Sequence, residues 1–221
     1  MLKRSIGVLA AALASALCAV STAAVATADD RVPLGAGSPI IVVGQEKLAC
    51  TLTAIGHDVN DDIVGLTAGH CGDVGDSVVS EVDQDAGSLG RLEKKRSNPD
   101  IGVIKFNPSR VIPTARTGKL VITGLSRDLP RPGTMACKLG RTTGWTCGQM
   151  TPTNRMSHTA KICIAKGDSG APVVIGSTLV GMVNVYYFDT PCAGPEGGTN
   201  IGAVLDAIGP GVGEGFELQP A

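Results

Sequence analysis

A serine lies between two glycines in "AKGDSGAPV", residues 165–173. Flanking glycines allow a bend that holds the Ser169 hydroxyl clear of the backbone. A turn whose N–H groups converge also suits a developing negative charge. A serine alone is a weak nucleophile and needs a base. "LTAGHC", residues 66–71, offers His70 beside Cys71, and a disulfide there would pin the loop that aims the ring. "NPDIGVIKF", residues 98–106, offers Asp100 at the entrance of an apolar run. A carboxylate so placed is partly buried and needs a partner. Taken singly, His70 and Asp100 have plainer readings: a structural or surface histidine, and a turn aspartate after Asn98-Pro99.

The elements that must position these residues are strands. Glycine is abundant at 30 of 221 residues and aromatics make up 3%. Short β-branched runs recur at 40–43, 52–55, 63–66, 77–82, 101–106, 120–122, 135–139, 161–164, 172–175, 178–185 and 198–204, separated by Gly, Pro, Asn or Asp. Many short strands at close spacing predict an all-β barrel or sandwich. A short helix is expected within Asn200–Ile208 after the last strand. Residues 29–39 read as a loose leader, 107–119 as a link between two β units, and 209–221 as a frayed tail.

Residues 1–28 have the layout of a cleaved signal peptide. Lys3 and Arg4 precede an apolar run that ends in Ala26-Thr27-Ala28. Cys18 follows Leu17 and not a small residue, so it is not read as a lipid-attachment site. The expected location is extracellular, with no membrane association after signal removal. A formal net charge of -1 without a basic block argues against nucleic acid as a partner. Cys50, Cys71, Cys137, Cys147, Cys163 and Cys192 remain, an even number that predicts three disulfides in an exported chain. Spacing alone leaves fifteen pairings open. No CxxC pair occurs, and His57 and His158 are the other histidines beyond His70, so neither metal nor cofactor is expected.

Together, "TAGHC", "DIGVIKF" and "GDSGAP" resemble the His, Asp and Ser motifs of the chymotrypsin-like serine peptidases, in that family's chain order. "CKLGRTTGWTCG" (137–148), "CIAKGDSG" (163–170) and "GTNIGAVLDAI" (198–208) are similar to the bacterial streptogrisin and alpha-lytic branch. The resemblance spans Ile40 to Ile208. It implies two packed six-stranded antiparallel barrels, at about 40–110 and 118–208, with a short C-terminal helix. It implies the pairs Cys50–Cys71, Cys137–Cys147 and Cys163–Cys192. It assigns His70, Asp100 and Ser169 as the triad, and the N–H groups of Gly167 and Ser169 as the oxyanion hole. Asp168 is expected to anchor the loop through Lys138 or Arg141, because no basic cleavage site precedes an Ile-Val-Gly-Gly start. The specificity pocket is expected from Cys163, Ile164, Val183, Val185 and Tyr186.

The implied activity is a secreted, monomeric endopeptidase acting on peptide or protein substrates. No acid is expected at the pocket floor, which favours cleavage after small apolar residues. Tyr186 stands where open pockets have glycine. The competing expectation is a silent, secreted peptidase-like protein that binds a partner through a covered cleft. Two departures stand out: Ala171 replaces the family's last glycine, and only a short segment separates the expected signal from the first strand. The second implies that the domain folds unaided or with a helper in trans.

Overall fold

The structure is a computed structural model that describes residues 29–186 and 190–221, with the backbone alone at Tyr186. The expected signal segment, 1–28, lies outside the described residues.

The first sheet follows the order Glu217–Leu218, Ala54–His57, Ile63–Thr67, Asp100–Phe106, Gly90–Ser97, Ser77–Ser80, Pro39–Val43, Lys47–Thr51. Inside Glu217–Leu218, its path starts and ends on one stretch of chain, because Lys47–Thr51 and Ala54–His57 are halves of one bent strand. At the bend, Leu52 N–H donates to Ser38 O and Thr53 N–H to Leu66 O, so pairing continues on both sides. The sheet is therefore a closed barrel of six strands, with Glu217–Leu218 added outside. The second sheet runs Gly144–Gln149, Met135–Gly140, Pro172–Ile175, Thr178–Tyr186, Glu196–Asn200, Ser157–Ala160. A bridge between Met150 and Ala160, with Lys161 N–H donating to Gln149 O, closes it into a second six-stranded barrel.

Residue patterning explains which faces are hidden. Pro39–Val43 turns Ile40 and Val42 into the first barrel. Asp100–Phe106 is apolar on both faces: Ile104 and Phe106 fill the first barrel, while Ile101 and Val103 join an interface cluster with Leu179, Met182, Ile201 and Val204. A strand buried on both sides reads as a continuous apolar run, as "DIGVIKF" does. Gly90–Ser97, "GRLEKKRS", has no such signature. Its Leu92 points inward and its charged residues face outward.

Three expectations need correction. The segment 29–39 is not a loose leader: Val32–Gly35 pairs in parallel with Val111–Thr114, inside the expected link, and buries Val32 and Leu34. The segment 209–221 is not a frayed tail. It follows the helix Ile201–Ile208, buries Phe216 in the interface cluster, and pairs Glu217–Leu218 with Ala54–His57. Lys94 Nζ donates to the Ile208 and Pro210 carbonyls at 3.1 and 2.5 Å, a cation at a helix C-terminus. Residues 161–164 form no strand. Ile162 and Ile164 pack into the second core, but the Cys163 carbonyl accepts from the Thr146 hydroxyl and not from a ladder partner.

The tail thus ties the helix after the second barrel back to the first. Phe216→Ala is expected to lower the unfolding free energy by about 3 kcal/mol, measured by urea denaturation. An unchanged midpoint would mean that the tail does not hold the barrels.

Candidate active site

His70 lies in the single turn Gly69–Cys71, which the Cys50–Cys71 disulfide ties to the strand Lys47–Thr51. The turn presses close against the first barrel. A Cβ at Gly69 would stand 2.5 Å from Arg96 O and 2.8 Å from Asp100 Oδ1, so this position has room only for glycine. The close approach brings His70 N–H to Asp100 Oδ1 at 2.9 Å and His70 Nδ1 to Asp100 Oδ2 at 2.6 Å. On the other side of the ring, His70 Nε2 is 2.8 Å from Ser169 Oγ. One carboxylate, one imidazole and one hydroxyl form a continuous chain across the two barrels.

Asn184 completes the carboxylate's surroundings. Its Nδ2 donates to Asp100 Oδ2 at 2.9 Å and to Asp100 O at 2.7 Å, while its Oδ1 accepts from Thr199 N–H at 2.9 Å. Burial pushes the Asp100 carboxyl up. Donation from His70 and Asn184, with the field of the imidazole, outweighs this and holds it below its ordinary value of 3.8.

The serine loop is pinned from both barrels. Gly167 and Gly170 have φ of 96° and 84°, the left-handed region that glycine supplies without strain. A Cβ at Gly170 would collide with Thr51 O and Thr67 Oγ1. Thr51 N–H donates to Ser169 O at 2.8 Å, Thr51 Oγ1 to Gly167 O at 2.9 Å, and Thr53 Oγ1 to Gly170 O at 2.6 Å. Among the described residues, the N–H groups of Gly167 and Ser169 have no acceptor within the protein, so both remain available for an oxyanion.

Asp168 points away from the cleft and is fully buried. It accepts from Thr142 N–H at 2.8 Å, Thr143 N–H at 3.1 Å, Thr143 Oγ1 at 2.7 Å and Ala165 N–H at 3.0 Å. Lys138 Nζ lies 3.6 Å from it and also donates to Thr143 Oγ1 and to Gly144 O, the latter at 2.8 Å. Burial lowers the Lys138 ammonium below its ordinary value of 10.5, against the attraction of Asp168.

No protein-family model matches this sequence, and no curated protein does. Solved structures do match. Thermobifida fusca protease A is 22% identical, with a TM-score of 0.65 over 80% of this chain and 96% of that one. A Nocardiopsis protease is 20% identical, with a TM-score of 0.63 over the same shares. The alpha-lytic protease homolog N4 is 22% identical, with a TM-score of 0.64 over 80% of this chain and 97% of that one. This chain has the trypsin-like, all-β, two-barrel fold.

Within that fold, His70, Asp100, Ser169 and Gly167 lie together at one end of the seam between the barrels. The three disulfides join Cys50 to Cys71, Cys137 to Cys147 and Cys163 to Cys192. Arg141 does not partner Asp168. Its guanidinium grips Glu81 of the first barrel, with Nε donating to Oε2 at 2.6 Å and Nη2 to Oε1 at 2.5 Å, while Lys138 takes the Asp168 side. Arg141 leaves Asp168 because its side chain reaches outward from a turn, whereas Lys138 sits on an inward strand position.

Among the described residues, the expected pocket positions have different surroundings. Ile164 and Val183 belong to the buried core of the second barrel, Cys163 bridges to Cys192, and Val185 is exposed. The Tyr186 side chain and Asp189 lie outside the described residues. A groove of about 280 Å³ passes Pro99, Asp100, Met156 and Val185 on one side of the triad. Among the described residues, no cluster of three or more His, Cys, Asp or Glu could hold a metal, and no helix is long and apolar enough to cross a membrane.

Sequence reasoning missed Asn184, Thr51 and Thr53. Asn184 had a visible signal: it is the one amide inside the apolar strand sequence "LVGMVNVY", and a polar side chain there requires a partner.

Asn184→Ala is expected to raise the titration midpoint of Asp100, followed by carbon-13 NMR of the carboxyl. It should cost about 2 kcal/mol, as for a hydrogen bond to a charged group. A depressed carboxylate stabilises the fold above its unfolded value and loses that contribution as pH falls through the folded value. The cost should therefore be present at neutral pH and fade below pH 3.8. An unmoved midpoint would remove Asn184 from the site.

Proposed function

We propose that this protein is a secreted serine endopeptidase with Ser169 as nucleophile, His70 as base and Asp100 as the group that orients the base. The observation that carries this reading is the unbroken chain Asp100–His70–Ser169 at 2.6 and 2.8 Å, beside two unspent N–H donors. Ser169 Oγ attacks the peptide carbonyl carbon as its proton passes to His70 Nε2. The carbonyl oxygen becomes an oxyanion facing the N–H groups of Gly167 and Ser169. One such donor contributes about 3 kcal/mol to the transition state. The C–N bond then breaks, and His70 returns the proton to the leaving amine. Water repeats the sequence against the acyl-serine and regenerates the hydroxyl. Asp100 stays ionised throughout, keeps the ring in the Nδ1–H tautomer and stabilises its charged form.

The domain that does this reaches from the strand Val32–Gly35 to the strand Glu217–Leu218, preceded by a removed signal at 1–28. Three disulfides fit an oxidising, extracellular setting. Lys138 serves as the internal partner of Asp168, so the loop needs no newly cut N-terminus to assemble. The groove beside Val185 suits an extended peptide on the N-terminal side of the scissile bond. Cleavage after small apolar residues is the preference assigned, and the monomer is the working unit.

Ser169→Ala is expected to fold normally and to lose turnover by a factor on the order of 10⁶. Intact mass after a fluorophosphonate probe should show one adduct on the wild type and none on the variant. An unlabelled but folded wild type would reject the peptidase reading and favour the silent binding protein. On peptide substrates, Ala or Val before the scissile bond should exceed Lys or Arg by at least about tenfold, the order that apolar pocket contacts supply. Equal or reversed rates would overturn the preference.

A further inference from the structure

The interior of the second barrel contains a second histidine. His158 and Glu196 have fully buried side chains, and His158 Nε2 is 3.1 Å from Glu196 Oε1. The ring is built into place. Cβ atoms at Gly181 or Gly198 would run into it, and the Gly198 Cβ would also stand 2.6 Å from Glu196 Oε1. Among the described residues, neither Glu196 oxygen has a hydrogen-bond donor other than this contact with His158 Nε2.

The proton count on the ring follows from Asn200. Its Nδ2 donates to Asn154 O at 2.6 Å and to Arg155 O at 3.3 Å, two groups that can only accept. The amide is therefore fixed with Oδ1 toward His158 Nδ1, at 3.0 Å, and Nδ1 must carry a proton. With Nδ1 protonated, a neutral ring would turn the lone pair of Nε2 against a carboxylate. A proton between Nε2 and Glu196 makes the contact attractive, and it belongs on the ring, because an imidazole is a stronger base than a carboxylate. Burial opposes a charge on His158, but the Glu196 field and the contacts to Glu196 and Asn200 outweigh it and raise the ring above its ordinary value of 6.5.

The consequence lies in the strand Glu196–Asn200. His158 grips both of its ends, and Thr199 lies between them. Thr199 N–H donates to Asn184 Oδ1, which turns Asn184 Nδ2 toward Asp100. We propose that His158 is a positioning residue for the triad: as an imidazolium between Glu196 and Asn200, it holds the strand whose Thr199 N–H aims Asn184 at Asp100. The proposal rests on the triad reading above.

Among the described residues, the other charged groups near the pair are Lys138, whose ammonium acts on Glu196 from the strand Met135–Gly140, and Asp168 beyond it. Asp100 stands on the far side of Asn184. A raised histidine stabilises below its unfolded value and is lost as pH rises through its folded value, so the brace loosens on the alkaline side of pH 6.5.

The test is proton and nitrogen-15 NMR of the histidine rings in the wild type and in Glu196→Gln. In the variant, the side-chain amide that replaces the carboxylate donates to a neutral Nε2, so the contact survives without a charge. His158 should carry two ring protons at pH 7 in the wild type and only Nδ1–H in the variant. The His70 Nδ1 proton, which reports the bond to Asp100, should shift as wild-type His158 deprotonates and stay still over that range in the variant. Both readouts work on a protein without activity, so their failure is separate from failure of the peptidase reading. If turnover is present, wild-type kcat/KM should fall about tenfold through the same transition, against less than about twofold in the variant, well short of the ~100-fold loss of a 1 Å misplacement. A singly protonated His158 at pH 7 overturns the proposal, as does a His70 resonance indifferent to His158.

Discussion

The Asp168 carboxylate is the fixed point of this molecule. A buried charge without partners is not tolerated in a protein interior, and Asp168 meets that demand with three backbone N–H groups, one hydroxyl and the Lys138 ammonium. Each donor belongs to the strand Met135–Gly140, to the turn after it or to the serine loop itself, so satisfying the charge also sets the loop. Gly140 shows how tight the fit is, because a Cβ there would overlap the Asp168 side chain. With Asp168 turned inward, the peptide groups on either side have one orientation left. Their N–H groups face the cleft, and Ser169 Oγ meets His70.

The first barrel contributes the opposite grip. Thr51 and Thr53, at the bend of its long strand, take the carbonyls of Gly167, Ser169 and Gly170. The Arg141–Glu81 pair adds a clamp across the same seam, although a partly exposed pair contributes little, on the order of 1 kcal/mol or less. The apolar cluster beneath carries more of the load, with Ile101 and Val103 of one barrel against Leu179 and Met182 of the other. The chain Asp100–His70–Ser169 is thus split between two barrels, and the hydrogen bonds that align it cross the interface which holds them together.

These relations were unevenly legible in the sequence. The members of the hydrogen-bonded chain Asp100–His70–Ser169 could be picked out because each sits in a short local context: a histidine beside a cysteine, an aspartate opening an apolar run, and a serine between glycines. The strand Asp100–Phe106 could be read because both faces are buried. Gly90–Ser97 could not, because one inward leucine among charged residues leaves no alternation to detect. The Val32–Gly35 strand and the tail were misread for one reason: their order comes from distant partners, Val111–Thr114 and Ala54–His57, and local composition carries no trace of such pairing. Arg141 and Lys138 differ only in which way their positions face, and that depends on a strand register which short motifs do not specify.

The second barrel shows why a polar interior can be retained. Its core holds two acids, Asp168 and Glu196, against two bases, Lys138 and His158, with Ala136, Ala160, Gly181 and Gly198 leaving the space. A core of this kind gives weak net stability, because desolvation consumes most of the attraction between charges. It does give definition. An apolar substitute at Lys138 or His158 would strand a buried carboxylate, and strand register would no longer be tied to the positions of Ser169 and Asn184. Charges that tolerate one arrangement supply that definition, and they do so directly beneath the loop that must be placed most accurately.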